Sequence, residues 1–533
     1  MKFTDEQQWV IDSNDPVCVV QAGPGTGKTT TVAGHIAHRL SKEKRSGFDF
    51  LAITFSRFAA SQLKDKVQQL DPGERWKIDV NTFHGFALDV ISRFLVRNLT
   101  IVEEKDMVRL MDKNGYWSLP VTFKEYIQGK NLSPTMRRKG KEQYSKILTQ
   151  VGWITYEEIL LTLLDMPEAL DWIHDRYAYL YVDEAQDMTP TQLALAEKMN
   201  IQHTMYIGDV SQAIYEWNGA SPVILMELSQ KYPTYTLTHN WRSRPEIVQA
   251  SNRLISHNKM IITNKNVAVS DRAGGVTVHW VDYEDYHQKI NSIVSKHLDV
   301  DGVEPSDVAI LCRTNHEVAS IIANGGDIPF EQSLATSRLR DNPMLQLMIQ
   351  GARVRNDRTK ANYIMLNEKV SLVDGVIPDG NKFMVMESNQ ALLNKVPDWL
   401  GNAINEPSFM EYVHAFTEHL GPEFLNPDRG LIDHIVEVFA LQSADDLSDK
   451  AFMRWFATFS LQDVLSAQSD HVKVMTIHQS KGLEFKHVIA PIPKYKADDE
   501  ESRRIVFVAW TRSVETLDIL TTRENKYLEE AGL

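Results

Sequence analysis

The run Gln21-Ala22-Gly23-Pro24-Gly25-Thr26-Gly27-Lys28-Thr29-Thr30 constrains the fold of this 533-residue chain more than any other. It follows a short β-prone stretch, Val17-Cys18-Val19-Val20, and leads into a segment, Thr30 to Leu40, that can form a helix. Strand, Gly-rich turn and helix make the context that a phosphate-binding loop requires. Gly23, Gly25 and Gly27 let the backbone approach phosphates, so that amide groups and the helix N-terminus can cradle them. Ala22 fills the place of the pattern's first Gly. Lys28 would neutralise the β and γ phosphates of ATP, and the Thr29 hydroxyl would ligate Mg²⁺. The candidate cofactor contacts run through the loop: Ala22, Gly23, Gly25, Thr26, Gly27, Lys28, Thr29 and Thr30.

Three further apolar runs end at polar residues. Phe50 to Phe55 leads into the helix-like SRFAASQLKDKVQQL, Tyr179 to Val182 ends in DEAQD, and Thr204 to Ile207 ends in GDVSQ. Strands alternating with helices, with polar residues at their C-terminal ends, predict a parallel sheet that binds ligands at that edge. A second α/β part starts near residue 237. VTVHWV, DVAILCRTN, VKVMTIH and RIVFVAW are its expected strands. Residues 91–177 and 345–468 lack the alternation and read as mainly helical insertions. The expected division is therefore 1–90 with 178–236, then 237–344 with 469–533, each interrupted by its insertion.

Asp183-Glu184 follows a strand, as a second ATP motif should. Asp183 would hold Mg²⁺, and Glu184 would orient and deprotonate the attacking water. Gln212 can reach a γ-phosphate, and Tyr215 and Trp217 lie just beyond it. Rings so placed could couple hydrolysis to stacked bases, each stack contributing about 1–3 kcal/mol whatever the base. Arg242 in HNWRSRPEI and Arg512 in VAWTRS are candidates to stabilise transition-state charge from the second α/β part. The catalytic set is thus Lys28, Asp183, Glu184, Gln212, Arg242 and Arg512.

A net charge of −14 argues against coating nucleic acid by bulk attraction, although a local basic groove remains compatible with it. The N-terminus MKFTDEQQW has no apolar signal segment, and no run approaches the roughly 18 apolar residues that span a membrane. Cys18 and Cys312 both fall in expected buried strands, as small core hydrophobes of a reducing compartment. The expectation is a soluble cytoplasmic protein.

Together, FTDEQQ, AGPGTGKT, ITFSRFAASQL, NTFHGFAL, YVDEAQDMTPTQ, IGDVSQAIYEWNGA, LTHNWRSRPEI, VMTIHQSKGLEFKHVI and RRIVFVAWTRS stand in an order that resembles the superfamily-1 DNA helicases of the UvrD/Rep type. The resemblance covers about half of the chain and leaves the insertions unmatched. It implies two RecA-like domains, a helical subdomain inserted in each, ATP between the domains, and 3′-to-5′ stepping on single-stranded DNA up to duplex junctions. It also implies an adenine-reading role for Gln7, adenine stacking by Trp241, and a ribose contact by Glu484. Phe55, His84, Tyr215 and Trp217 match positions that face the DNA strand.

The chain departs from that family in several places. Trp241 replaces the usual Tyr, Thr30 stands where many members have Arg, Asn218 replaces the usual Arg after the motif Trp, and the second insertion is short. The short insertion keeps a second reading open, a DNA-stimulated ATPase switch that recruits a protein partner without unwinding. RNA remodelling is a weaker third. Three local features have bland expectations. His35 and His38 lack a third metal ligand, RRKGK at 137–141 is a basic face or a phosphate grip, and DDEES at 498–502 is a solvated loop.

Overall fold

A computed structural model describes residues 3–42, 50–54, 57–70, 78–95, 99–102, 104–108, 153–260, 266–332, 342–358, 360–373, 394–420, 446–458, 471–492, 500–522 and 525–533, with shorter stretches within 111–144 and 392–443. The chain forms two compact units. One comprises Met1–Phe83, Leu170–Ser333 and Leu461–Leu533, and the other His84–Ala169 and Leu334–Ser460.

The first unit holds two six-stranded, all-parallel sheets. The first sheet runs in the order Ile78–Asn81, Phe50–Ile53, Tyr179–Val182, His203–Gly208, Val17–Ala22 and Thr234–Leu237. Its central strands are apolar along nearly their whole length because both faces are covered. Val20, Ala22, Ala52, Tyr181 and Ile207 pack in one core with Val32, Ala33 and Ile36 of the helix Lys28–Lys42. Three of these strands stop where chemistry begins: Ala22 opens onto the Gly-rich loop, Val182 onto Asp183, and Gly208 onto Asp209.

The second sheet runs in the order Gly275–Trp280, Ser513–Thr521, Phe485–Pro491, Val308–Cys312, Val472–Thr476 and Phe330–Gln332. Ile310, Cys312, Val474 and Ile489 pack with Ile290, Ile293 and Val294 of the helix Tyr286–Leu298. Both cysteines are free and buried in strands, and burial pushes the Cys18 thiol up to about 12.

Two sequence expectations are corrected here. RIVFVAW is not a strand but the body of the helix Glu500–Trp510, and every residue from Ser502 to Trp510 is buried. A helix buried on all sides has no solvent-facing polar stripe to reveal its period, so the β-branched residues of its apolar run mimic a buried strand. The strands expected there are supplied by FKHVIAP and SVETLDILT, at Phe485–Pro491 and Ser513–Thr521. Nor is the acidic run simply a solvated loop. Glu500 opens that same helix, its carboxylate accepts the backbone N–H groups of Lys259 (2.8 Å) and Met260 (3.2 Å), and Ser502 is buried. Asp498 and Asp499 lie outside the described residues.

The second unit is mainly helical. Its helices include Tyr156–Leu164, Pro343–Asn356, Lys360–Val373, Phe409–Leu420 and Asp449–Thr458, joined by a short parallel pair, Thr100–Val102 with Trp153–Thr155. Both insertions contribute to it. The buried Trp153 indole donates to Asn362 Oδ1 at 3.0 Å, and Arg353 donates to the Ile101 carbonyl at 2.7 Å. Arg138 and Lys139 of the basic cluster are exposed, with Arg138 3.8 Å from Glu142, while Arg137 and Lys141 lie outside the described residues. Among the described residues, no helix is long and apolar enough to cross a membrane.

Candidate functional site

The Gly-rich loop closes over a cleft of about 700 Å³, a size suited to a nucleotide. Lys28, Thr29, Asp183, Glu184, Gln212, Trp241, Arg242, Glu484 and Arg512 all line it. Gly25 and Gly27 have φ of +70° and +82°, backbone that side chains disfavour. A Cβ on Gly25 would also sit 2.6 Å from Arg242 Cβ. Thr26 Oγ1 donates to the Gly23 carbonyl (2.8 Å), and Lys28 Nζ donates to the Ala22 carbonyl (3.2 Å).

The loop is tied to its surroundings from two sides. Gln7 closes a capping box with Thr4 at the start of the helix Asp5–Asp12, and its amide also donates to the Thr26 carbonyl at 3.4 Å. On the other side, the buried Asn240 donates to the Pro24 carbonyl (2.9 Å), while its own Oδ1 accepts Arg242 N–H (2.9 Å) and Ser243 N–H (2.8 Å). Trp241 N–H donates to the Gly25 carbonyl at 2.8 Å, which leaves the indole 55% exposed at the cleft. Thr30 accepts Lys66 Nζ at 3.1 Å.

Opposite the loop, Glu184 is held at φ 53°, left-handed backbone uncommon outside glycine and typical of functional sites. Its N–H donates to Asp183 Oδ1 at 2.9 Å, and its carboxylate accepts Gln186 Nε2. Burial and the adjacent Glu184 charge push Asp183 up to about 7. Burial acts on Glu184 too, but Lys28 and Lys481 outweigh it and hold that carboxyl at about 2. Crowded, buried carboxylates beside a threonine hydroxyl favour a hard divalent cation that would offset their repulsion. Thr29 and Asp183, which line the same cleft, are the residues whose oxygens would hold such an ion.

Residues beyond the first sheet supply the two arginines of the cleft, Arg242 and Arg512. Arg512, almost fully buried, donates to Gln212 Oε1 (3.0 Å), the Val508 carbonyl (3.0 Å) and the Leu483 carbonyl (3.3 Å). Burial and the neighbouring Arg242 lower it to about 9, so it stays charged at neutral pH. Arg242 pairs with Glu484 at 2.6 Å and reaches the Thr511 carbonyl at 3.3 Å.

Lys481, which the sequence reading passed over, is a second buried cation of the cleft, 4% exposed beside Arg512 at 2%. Its ammonium contacts Asp187, donates to the Gln212 carbonyl at 2.7 Å, and lies 5.2 Å from the Tyr215 ring centroid. Burial pushes Asp187 up to about 6 against the pull of that lysine. Asn240 and Asp209 were missed as well; Asp209 binds the Gln212 amide at 2.8 Å. A lysine inside the quoted VMTIHQSKGLEFKHVI run was the one available signal, since single short polar residues such as Asn240 and Asp209 carry none.

The aromatic candidates divide. Tyr215 is half-buried, and its hydroxyl donates to the His478 carbonyl at 3.1 Å. Trp217 is 69% exposed, with its ring 6.2 Å from His478. His84 stacks on Tyr156, ring centroids 3.7 Å apart, within the helical unit, and burial lowers it to about 4. Phe55 lies outside the described residues. His35 binds the Tyr181 hydroxyl at 2.8 Å in the first sheet's core, and His38 sits 3.6 Å from Asp12.

The family model of the UvrD/REP helicase N-terminal domain matches residues 3–151 and 124–233, and that of the UvrD-like helicase C-terminal domain matches 471–519. The ATP-dependent DNA helicase PcrA of Staphylococcus epidermidis (strain ATCC 12228 / FDA PCI 1200) is 23% identical over 98% of this chain and 84% of its own length. PcrA of Staphylococcus aureus (strain NCTC 8325 / PS 47) is 24% identical over 96% of this chain and 82% of its own. With a phosphate loop, an acidic pair and paired arginines on parallel-sheet edges, and with both domains matched, the chain belongs to the UvrD/Rep-type helicase family.

Proposed function

We propose that this protein is an ATP- and Mg²⁺-dependent motor that moves along single-stranded DNA and unwinds duplexes 3′ to 5′, in replication, repair or recombination. The observation that carries the proposal is the segment Gln212–Trp217. At one end Gln212 binds Arg512 inside the cleft, and at the other Trp217 presents a bare ring. A change at the γ-phosphate thus lies a few residues from a surface on which a base can stack.

In this reading, residues 1–90 with 178–236 and 237–344 with 469–533 are the two motor domains, and 91–177 and 345–468 are their insertions. Lys28 and the loop amides hold the phosphates, Trp241 stacks on adenine beside Gln7, and Glu484 meets the ribose. Glu184 accepts the proton of the attacking water. Arg242 and Arg512 stabilise charge on the transferred phosphoryl group. Thr29 and Asp183 would hold Mg²⁺, which would supply charge neutralisation along the phosphates. Tyr215 and Trp217, with Phe55 and His84, hold and release bases as the cleft opens and closes.

The test is ATP turnover with and without single-stranded DNA, beside unwinding of duplexes carrying a 3′ or a 5′ tail. Strong stimulation with unwinding from the 3′ tail alone is expected. Unwinding from the 5′ tail would refute the polarity, and stimulation without unwinding would assign the protein to a signalling ATPase instead.

A further inference from the structure

The segment Gln212–Glu216 leaves the first sheet, yet its outward hydrogen bonds run to residues of the second α/β part. Arg512 takes the Gln212 side chain, and Lys481 takes the Gln212 carbonyl. His478 Nε2 meets the Ile214 carbonyl at 3.1 Å, and the His478 carbonyl in turn accepts the Tyr215 hydroxyl. Between these contacts stands Arg504. It is 1% exposed, its Nε donates to the Ala213 carbonyl at 2.8 Å, and its Nη2 contacts the Glu216 carboxylate.

Arg504 and Arg512 come from one rigid piece of chain. Arg504 lies within the helix Glu500–Trp510, and Arg512 follows its end, bonded back to the Val508 carbonyl. A helix wholly buried from Ser502 onward cannot move Arg512 without moving Arg504. Arg504 meets Glu216, the residue between the two rings, whereas Arg512 meets the γ-phosphate sensor.

We propose that Arg504 is a positioning residue that, through Ala213 and Glu216, fixes the Tyr215–Trp217 platform to the helix delivering Arg512. The inference rests on the DNA-stacking role given above to Tyr215 and Trp217. Without Arg504 the chemistry at the cleft survives, and the platform loses its link to it. The guanidinium plane matters because it serves a carbonyl and a carboxylate at once, which an ammonium cannot reproduce with fixed geometry.

The experiment measures ATP turnover of the full chain against the concentration of an oligothymidine strand, for wild type, Glu216→Gln, Arg504→Gln and Arg504→Lys. Glu216→Gln alters the more exposed partner and keeps the test valid if Arg504→Gln fails to fold. Expected is a rise of about five- to tenfold in the DNA concentration giving half stimulation for Glu216→Gln, with turnover lacking DNA unchanged within about twofold. Arg504→Gln should show the larger rise and Arg504→Lys an intermediate one. Wild type stimulated by DNA, with Glu216→Gln and Arg504→Lys indistinguishable from it, overturns this inference alone. Loss of basal and stimulated turnover in equal proportion in Glu216→Gln also overturns it, since that marks a purely structural pair. Wild type that DNA does not stimulate overturns the function reading, and this inference with it.

Discussion

Lys481 and Asp187 form an ion pair in which both side chains are almost wholly removed from solvent, 4% and 1% exposed. Removing one partner of such a pair leaves an uncompensated charge in a medium that solvates it poorly, at a cost of about 3–5 kcal/mol. Lys481→Met should therefore lower the unfolding free energy by roughly that amount, measured by urea denaturation. Adding Asp187→Leu to Lys481→Met should recover most of the loss. A single variant as stable as wild type would show that the pair contributes nothing.

Glu184 and Lys28 are expected to separate binding from chemistry. Glu184→Gln should keep nucleotide affinity while turnover falls by about 10²–10⁴, the range for removing a general base. Lys28→Ala should lose both. A fluorescent ATP analogue and a phosphate-release assay distinguish them, and a Glu184→Gln protein that still cycles would remove the residue from its role.

Trp241 offers an exposed ring beside the loop, anchored through its own N–H to Gly25. Trp241→Ala should raise KM for ATP by about five- to a hundredfold, since a base–aromatic stack contributes about 1–3 kcal/mol, and should leave kcat within about threefold. Trp241→Tyr should lie near wild type. Equal KM values for the Ala and wild-type proteins would rule out adenine stacking.

His35 sets a pH dependence. Burial, with Arg39 nearby, lowers it to about 3, so the folded protein keeps it neutral where the unfolded chain would protonate it. Its contribution is present above the ordinary histidine range near pH 6.5 and is lost as pH falls toward 3. Between pH 6 and 5 the stability of wild type should fall more steeply than that of His35→Gln, by up to about 1.4 kcal/mol per pH unit. Parallel slopes in urea titrations would disprove the assignment.

Much of this architecture was legible in the residues because parallel sheets leave a clear trace. Val17–Ala22, Tyr179–Val182 and His203–Gly208 are apolar runs closed by polar residues, and each places its cleft residue at the expected edge. The helix Glu500–Trp510 was not legible, because burial on every side erases its period and leaves composition as the only guide. Asn240 and Lys481 escaped for a different reason. Their importance lies in partners more than 200 positions away, Pro24 for the first and Asp187 for the second. Gln212 was found for its reach toward phosphate, yet its ties to Lys481 and Arg512 depend on two distant stretches of chain.

The strand order carries a consequence for how the protein is made. Val17–Ala22 lies between His203–Gly208 and Thr234–Leu237, and Val472–Thr476 lies between Val308–Cys312 and Phe330–Gln332. On a ribosome, the phosphate-loop strand emerges early and waits for nearly the whole first third of the chain before either neighbour exists. In the second sheet, Gly275–Trp280 waits longer still, until Ser513–Thr521 exists. Nascent chains must therefore shelter unpaired, strongly apolar strands for many seconds at about 5–20 residues per second. Slow pairing of distant strands exposes the growing chain to aggregation, so co-expression with chaperones should raise the yield of folded protein.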